Sequence, residues 1–117
     1  MGRMEKVNEQ LRREIGTILL MEMSDPRFEL VSITYVETSP DLRYAKVFFS
    51  VMGDEEKINN AQQGLNNARN KIRSLVAQRI KMRYIPEINF FYDKSIEYSA
   101  RIEEALKEIK DENKRDT

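Results

Sequence analysis

The sequence predicts a two-layer α+β domain, with amphipathic helices packed on one face of a small three-stranded sheet. Three observations carry that expectation. Apolar residues recur every three or four positions in long stretches near both ends and in the middle of the chain. Between them lie short runs that are β-branched or strictly alternating. The length, 117 residues, suits one domain that can hold a core without covalent staples.

The elements follow in order. Met4, Val7, Leu11, Ile15, Ile18 and Leu19 form a stripe about 120° wide on a first helix, with Lys6, Gln10 and Arg13 opposite. Ser24-Asp25-Pro26 ends it, because proline disfavours the α region in the residue before it. Leu30 to Val36 is rich in β-branched residues and reads as a strand. Ser39-Pro40-Asp41 is turn chemistry. Tyr44 to Val51 then alternates, with Ala45, Val47, Phe49 and Val51 on one face. The two strands are expected to pair as a hairpin.

Asp54 suits the N-cap of the next helix. There Ile58, Ala61, Leu65, Ala68, Ile72, Leu75 and Val76 keep one helical phase. The tract Asn66-Asn67-Ala68-Arg69-Asn70 interrupts it with asparagines, which compete for backbone hydrogen bonds. Two nearly in-phase helices joined by a kink at Ala68–Asn70 are therefore expected. The second should end near Arg79–Met82, or else Arg79 buries only its stem and lifts its charge out of the stripe. Ile88 to Tyr92 reads as a third strand. Asp93-Lys94-Ser95 should cap a last helix carrying Tyr98, Ile102, Ala105, Leu106 and Ile109. Residues 1–110 make the domain, and 111–117 form a charged tail expected to be disordered.

Composition removes whole classes of chemistry. Cys and His both number 0, so disulfides, cysteine-based metal sites and histidine-dependent triads are excluded. The four glycines build neither a Walker A loop nor a dinucleotide fingerprint, nor the two-glycine loop of a KH domain. No apolar run approaches membrane length and no apolar leader opens the chain, so a cytoplasmic protein without membrane contact is expected.

The zero net charge hides a segregation. Residues 57–86 hold seven bases and no acid, whereas residues 22–56 hold three bases and eight acids. A basic element of that length points to a polyanionic partner. Two further features each allow two readings. Asp25, Asp41 and Asp93 sit beside turns or strand ends, where capping is the ordinary role; gathered together they would instead suggest Mg²⁺-dependent cleavage of phosphodiesters. Tyr35, Phe48, Phe91 and Tyr92 are either core residues or rings that stack bases on an open sheet face.

An ordered set of short matches runs through the chain. Met4-Glu5-Lys6-Val7, Asp25-Pro26-Arg27, Thr38-Ser39-Pro40-Asp41-Leu42 and Ala45-Lys46-Val47 come first. Ile72-Arg73-Ser74, Met82-Arg83 with Pro86-Glu87, Phe91-Tyr92-Asp93-Lys94-Ser95 and Arg101-Ile102 follow. In this order, over residues 3–106, the set resembles the bacterial ribosome-binding factor A family. The resemblance implies a KH-like fold of type II order, α-β-β-α-kink-α-β, with an added C-terminal helix. It implies no enzymatic activity and no cofactor, catalytic residue or metal. The implied partners are the free 30S subunit and 16S rRNA, bound by a monomer that assists late rRNA maturation. A general single-strand-binding protein of the same fold is the alternative. At the family's kink this chain reads Ala68-Arg69-Asn70, with Asn where Gly is usual, and Asn tolerates left-handed backbone angles.

For such a function the expected RNA contacts are Lys71, Arg73, Arg79, Lys81 and Arg83 of the basic element. Ser74 and Gln78 share the outward face of Lys71 and Lys81, and Lys6 and Arg13 on the first helix come second.

Overall fold

The structure, a computed structural model, describes residues 2–95. Its order is α1 (Arg3–Met21), a 3₁₀ turn (Pro26–Phe28), β1 (Val31–Thr38), β2 (Tyr44–Val51), α2 (Glu55–Arg79) and β3 (Glu87–Tyr92). The strands lie in the order β1-β2-β3. β1 and β2 form the expected antiparallel hairpin, and β3 returns parallel to β2 after the α2 crossover. Both helices pack on one face of the sheet, α1 against β1 and α2 against β3. The α+β class and its layers are those the sequence predicted.

The core lies between these layers. Leu11, Ile15, Ile18 and Leu19 of α1 and Ala61, Leu65, Ile72 and Val76 of α2 meet Val47, Phe49, Ile88 and Phe90 of the sheet. β1 contributes Ile33 and Val36, three residues apart, although a regular strand would point them to opposite faces. The register shift between Ile33 and Tyr35 reconciles them: the extra residue, Thr34, lets both Ile33 and Val36 face inward. β1 also runs two residues further than expected, to Thr38. Its end is held by Asn8 of α1, whose Oδ1 accepts from the Thr38 amide at 3.1 Å and its hydroxyl at 2.7 Å.

The aspartates cap and close turns. Asp25 Oδ1 accepts from the Arg27 amide at 2.9 Å, and its carboxylate grips the Arg27 guanidinium at 2.6 Å. That segment lies against Gly64 of α2, where a Cβ would meet the Arg27 guanidinium at 3.0 Å and the Phe28 ring at 3.1 Å. A side chain at 64 would require the Arg27 guanidinium and the Phe28 ring to give way by a few tenths of an ångström. Asp54 caps α2 through the Lys57 amide at 3.0 Å, as expected. Asp93 Oδ1 accepts from the Ser95 amide at 3.0 Å and its hydroxyl at 2.5 Å.

The expected break into two helices at Ala68, Arg69 and Asn70 is corrected by the structure. α2 is one α-helix over 25 residues, and Leu42 is the only described non-glycine residue with positive φ. The asparagines that suggested a break point outward: Asn66, Asn67 and Asn70 are all exposed, and the Asn66 carbonyl accepts from Gln62 at 3.0 Å. Their backbone-competing amides are occupied or solvated while the buried stripe packs without interruption. Tertiary packing outweighs local propensity.

The free edge of β3 is covered by α2 side chains. Gln62 Nε2 donates to the Phe90 carbonyl at 3.0 Å, and Arg69 Nη1 donates to Asn89 Oδ1 at 2.8 Å. An otherwise exposed strand edge is thereby blunted against pairing with another chain. The last helix expected after Asp93, with Tyr98, Ile102, Ala105, Leu106 and Ile109, lies outside the described residues. So does the tail 111–117.

Candidate nucleic-acid interface

Three segments meet at one end of the domain: the start of α1, the β1–β2 turn and the loop from α2 to β3. They enclose an open cleft of about 850 Å³, lined by Arg3, Arg43, Arg73, Lys81 and Arg83 among others. Asp41 is the one carboxylate in its lining among the described residues. Arg73, Arg83 and Tyr84 continue into an adjoining hollow that also holds Asn70 and Ser74.

Local structure fixes these groups. In the turn, the Leu42 amide donates to the Ser39 carbonyl at 2.8 Å, and Leu42 takes φ 60° to complete it. Asp41 Oδ1 accepts from the Ser39 hydroxyl at 2.6 Å and the Arg43 amide at 3.1 Å. The Ser39 hydroxyl, then the Arg43 amide, hold the Asp41 carboxyl below its ordinary range. Asp41 thus shapes the turn, and its ion pair with Arg43 is long, 3.9 Å. The Arg43 carbonyl accepts from the Glu87 amide at 2.8 Å, so the turn is anchored to β3.

The opposite wall is braced by Arg73. Its Nη2 and Nε donate to the Ile85 carbonyl at 2.7 and 3.3 Å, which fixes the loop over the end of α2. The loop is further held by buried Ile80 and Pro86. Lys81, Arg83 and Tyr84 stand exposed on it, with the Arg83 guanidinium 5.6 Å from the Tyr84 ring centroid.

The expected RNA contacts therefore divide. Arg73, Lys81 and Arg83 converge in the cleft, with Ser74 in the hollow beside it. Lys71 and Gln78 are exposed on α2, and Lys6 and Arg13 on α1, all four outside the cleft lining. Arg79 is committed elsewhere, to Glu22 at 2.8 Å and Glu14 at 3.3 Å on α1. α2 ends at Arg79, within the expected Arg79–Met82 boundary, so the Arg79 charge does not have to sit inside the apolar stripe. Sequence reasoning missed Arg3, Arg43 and Tyr84. Arg43 was hidden because it lies in the acid-rich window 22–56, whose acids other than Asp41 fall outside the cleft lining. Tyr84 adjoins Arg83 in sequence, and an aromatic beside a loop arginine was the available signal.

Three of the four aromatic residues considered lie on the sheet face away from the helices. Tyr35 and Phe48 stack at 4.2 Å between centroids, and Phe91 follows at 5.8 Å. Tyr92 instead meets core Phe49 edge-on at 5.9 Å. The outward rings already use their faces on one another; burial first, and then the charges of Glu37 and Asp93, hold the Tyr35 hydroxyl above its ordinary range. That setting is less suited to a polyanion than the cleft.

Among the described residues no cluster of three or more His, Cys, Asp or Glu side chains could hold a metal ion. Asp25, Asp41 and Asp93 each serve a local turn, so they do not form the Mg²⁺ site considered above. No described helix is long and apolar enough to cross a membrane.

The chain is a small α+β domain with a cation-lined cleft at one end. The description "Ribosome-binding factor A" matches residues 3–106, and the chain belongs to that family. Ribosome-binding factor A of Halothermothrix orenii is 47% identical over 114 residues, covering 97% of this chain and 93% of that protein. Its counterpart in Caldanaerobacter subterraneus is 48% identical over 108 residues, covering 92% and 88%. The crystal structure of ribosome-binding factor A from Thermus thermophilus superposes with a TM-score of 0.68 at 25% identity, over 76% of this chain and 93% of that one. Thermus coordinates fitted into a cryo-EM map of a 30S–RbfA complex superpose with a TM-score of 0.63, at 25% identity, over 74% and 91%.

Proposed function

We propose that this protein is a non-enzymatic ribosome assembly factor that binds the free 30S subunit through 16S rRNA and assists late rRNA maturation. The observation that carries this reading is the cleft, where five cationic side chains meet one carboxylate already engaged in its own turn. Such a site suits phosphate oxygens rather than base edges, as fits a protein that recognises folded RNA by shape. Family membership and the Thermus 30S complex supply the ribosome.

In this reading Arg3, Arg43, Lys81 and Arg83 bind phosphates, and Arg73 both braces the loop and offers its remaining N–H donors. Lys6, Arg13, Lys71, Ser74 and Gln78 form a weaker flank. The protein acts as a cytoplasmic monomer without a cofactor.

Sedimentation of the purified protein with ribosomal particles tests the proposal. It should travel with 30S and not with 70S particles. Equal travel with both, or with short oligonucleotides as readily as with 30S, would replace it with a general single-strand binder.

A further inference from the structure

We propose that Tyr84 is a stacking platform, and that the cleft accepts an unpaired nucleotide of single-stranded RNA rather than a duplex backbone alone. The proposal rests on the RNA-binding reading above and specifies what that site takes.

Tyr84 is 74% exposed, whereas Val7, Met82 and Ile85 of the same cleft lining pack against the core and Leu42 is half-buried in its turn. A large ring left in water beside a concave site needs a reason. Its loop is not loose: the two Arg73 bonds to the Ile85 carbonyl fix the residue next to Tyr84, and buried Pro86 follows. The ring is presented on a braced loop, so little freedom is lost when a base settles on it. Arg83 lies 5.6 Å from the ring centroid on the same loop, within the range of a cation–π contact.

The surroundings select the partner. A ring stacks on any base, and the charges beside it must meet the phosphates that accompany that base. Arg43 and Lys81 line the same cleft as Tyr84. A paired base keeps its faces inside the helix and offers Tyr84 nothing. An unpaired one offers a π-face together with its backbone charge. An acidic peptide would satisfy the cations and leave the ring unused.

The test uses the full chain and two probes, a mixed-sequence RNA octamer and a 12-base-pair RNA duplex, with 30S co-sedimentation alongside. The parent should bind the octamer more tightly than the duplex. Tyr84→Ala should weaken octamer binding roughly ten- to a hundredfold and leave duplex binding nearly unchanged. Tyr84→Phe and Tyr84→Trp should retain it, because both keep a stacking face. The high exposure of Tyr84 predicts unchanged denaturation midpoints, which identify any variant that fails to fold. A parent without preference for the octamer overturns the proposal. So does Tyr84→Ala that binds like the parent, or Tyr84→Phe that loses as much as Tyr84→Ala. Failure of the assembly-factor reading shows separately, as a parent that does not sediment with 30S particles.

Discussion

Arg79 Nη2 donates to Glu22 Oε1 at 2.8 Å, tying the last turn of α2 to the residue that caps the C-terminus of α1. Nη1 of the same guanidinium reaches Glu14, about two turns earlier on α1, at 3.3 Å. A base that the charge pattern assigned to RNA is a clamp between two helices.

Arg79→Ala should therefore lower the denaturation midpoint slightly and leave 30S binding nearly intact. The pairs are part-exposed, so the effect should shrink as salt rises. Leu11→Ala sets the contrasting scale. Its side chain is 0% exposed, and truncation should cost about 2–5 kcal/mol of stability. Urea unfolding at low and high salt checks both. A large binding loss in folded Arg79→Ala would return this residue to the RNA site.

Asn70 supplies the second prediction. It is exposed and lies inside α2 without a left-handed backbone, so substitutions there should follow helix propensity. Asn70→Ala should be at least as stable as the parent, Asn70→Ile should be close to it, and Asn70→Gly should be the least stable by a few tenths of a kcal/mol or more. At a left-handed kink the order would invert, with glycine favoured and isoleucine worst. Unfolding midpoints of the three variants separate the two cases.

These two residues mark where the sequence could and could not be read. Periodicity revealed α1 and the alternating strand β2, because burial of one face writes itself into the spacing of Leu11, Ile15 and Ile18, or of Ala45, Val47 and Phe49. The kink at Asn70 was misread since propensity is local, whereas the stripe from Ala61 to Val76 is held by the sheet. The bulge at Thr34 left no signal of its own. Counting charge by window found Arg73, Lys81 and Arg83, which neighbour one another in sequence. It could not find Arg43, carried to the cleft by the β1–β2 turn, nor Arg79's partners, 57 and 65 residues away.

The third prediction concerns acid. Asp93 is buried, and burial alone would push its carboxyl up; hydrogen bonds from the Ser95 hydroxyl, Thr34 and the Ser95 amide outweigh it and hold the group below its ordinary value. A carboxyl lowered by folding stabilises the native state above its unfolded pKa, about 3.9 for aspartate, and that contribution is lost as pH falls through the folded value. Asp25, lowered chiefly by the Arg27 guanidinium, acts in the same direction. Stability should be level from neutral pH down to about 5 and decline below about 4. Asp93→Asn should be less stable at neutral pH and lose less on acidification. Chemical denaturation at several pH values measures both, and a parallel decline in parent and variant would remove Asp93 from the acid response.

The last prediction separates charge from fold at the cleft. Arg73 is a poor probe, because its guanidinium also braces Ile85. Arg43 and Lys81 are better. Both are exposed, neither has a short ion pair among the described residues, and they approach the cleft from opposite walls. Arg43→Glu with Lys81→Glu should keep the denaturation midpoint within about 0.5 kcal/mol of the parent, as surface changes usually do. Each reversal removes a phosphate contact and adds repulsion, so 30S affinity should fall by about 2–4 kcal/mol, or roughly thirtyfold to a thousandfold. Salt gives an independent reading of the same contacts. If five phosphates are neutralised, log K should fall against log salt with a slope near −4, and the double variant should give a shallower slope by about 2. Co-sedimentation across a salt series measures both quantities. A folded double variant with the parent's affinity and slope would mean that these cations face solvent, and that the protein holds its RNA through another surface.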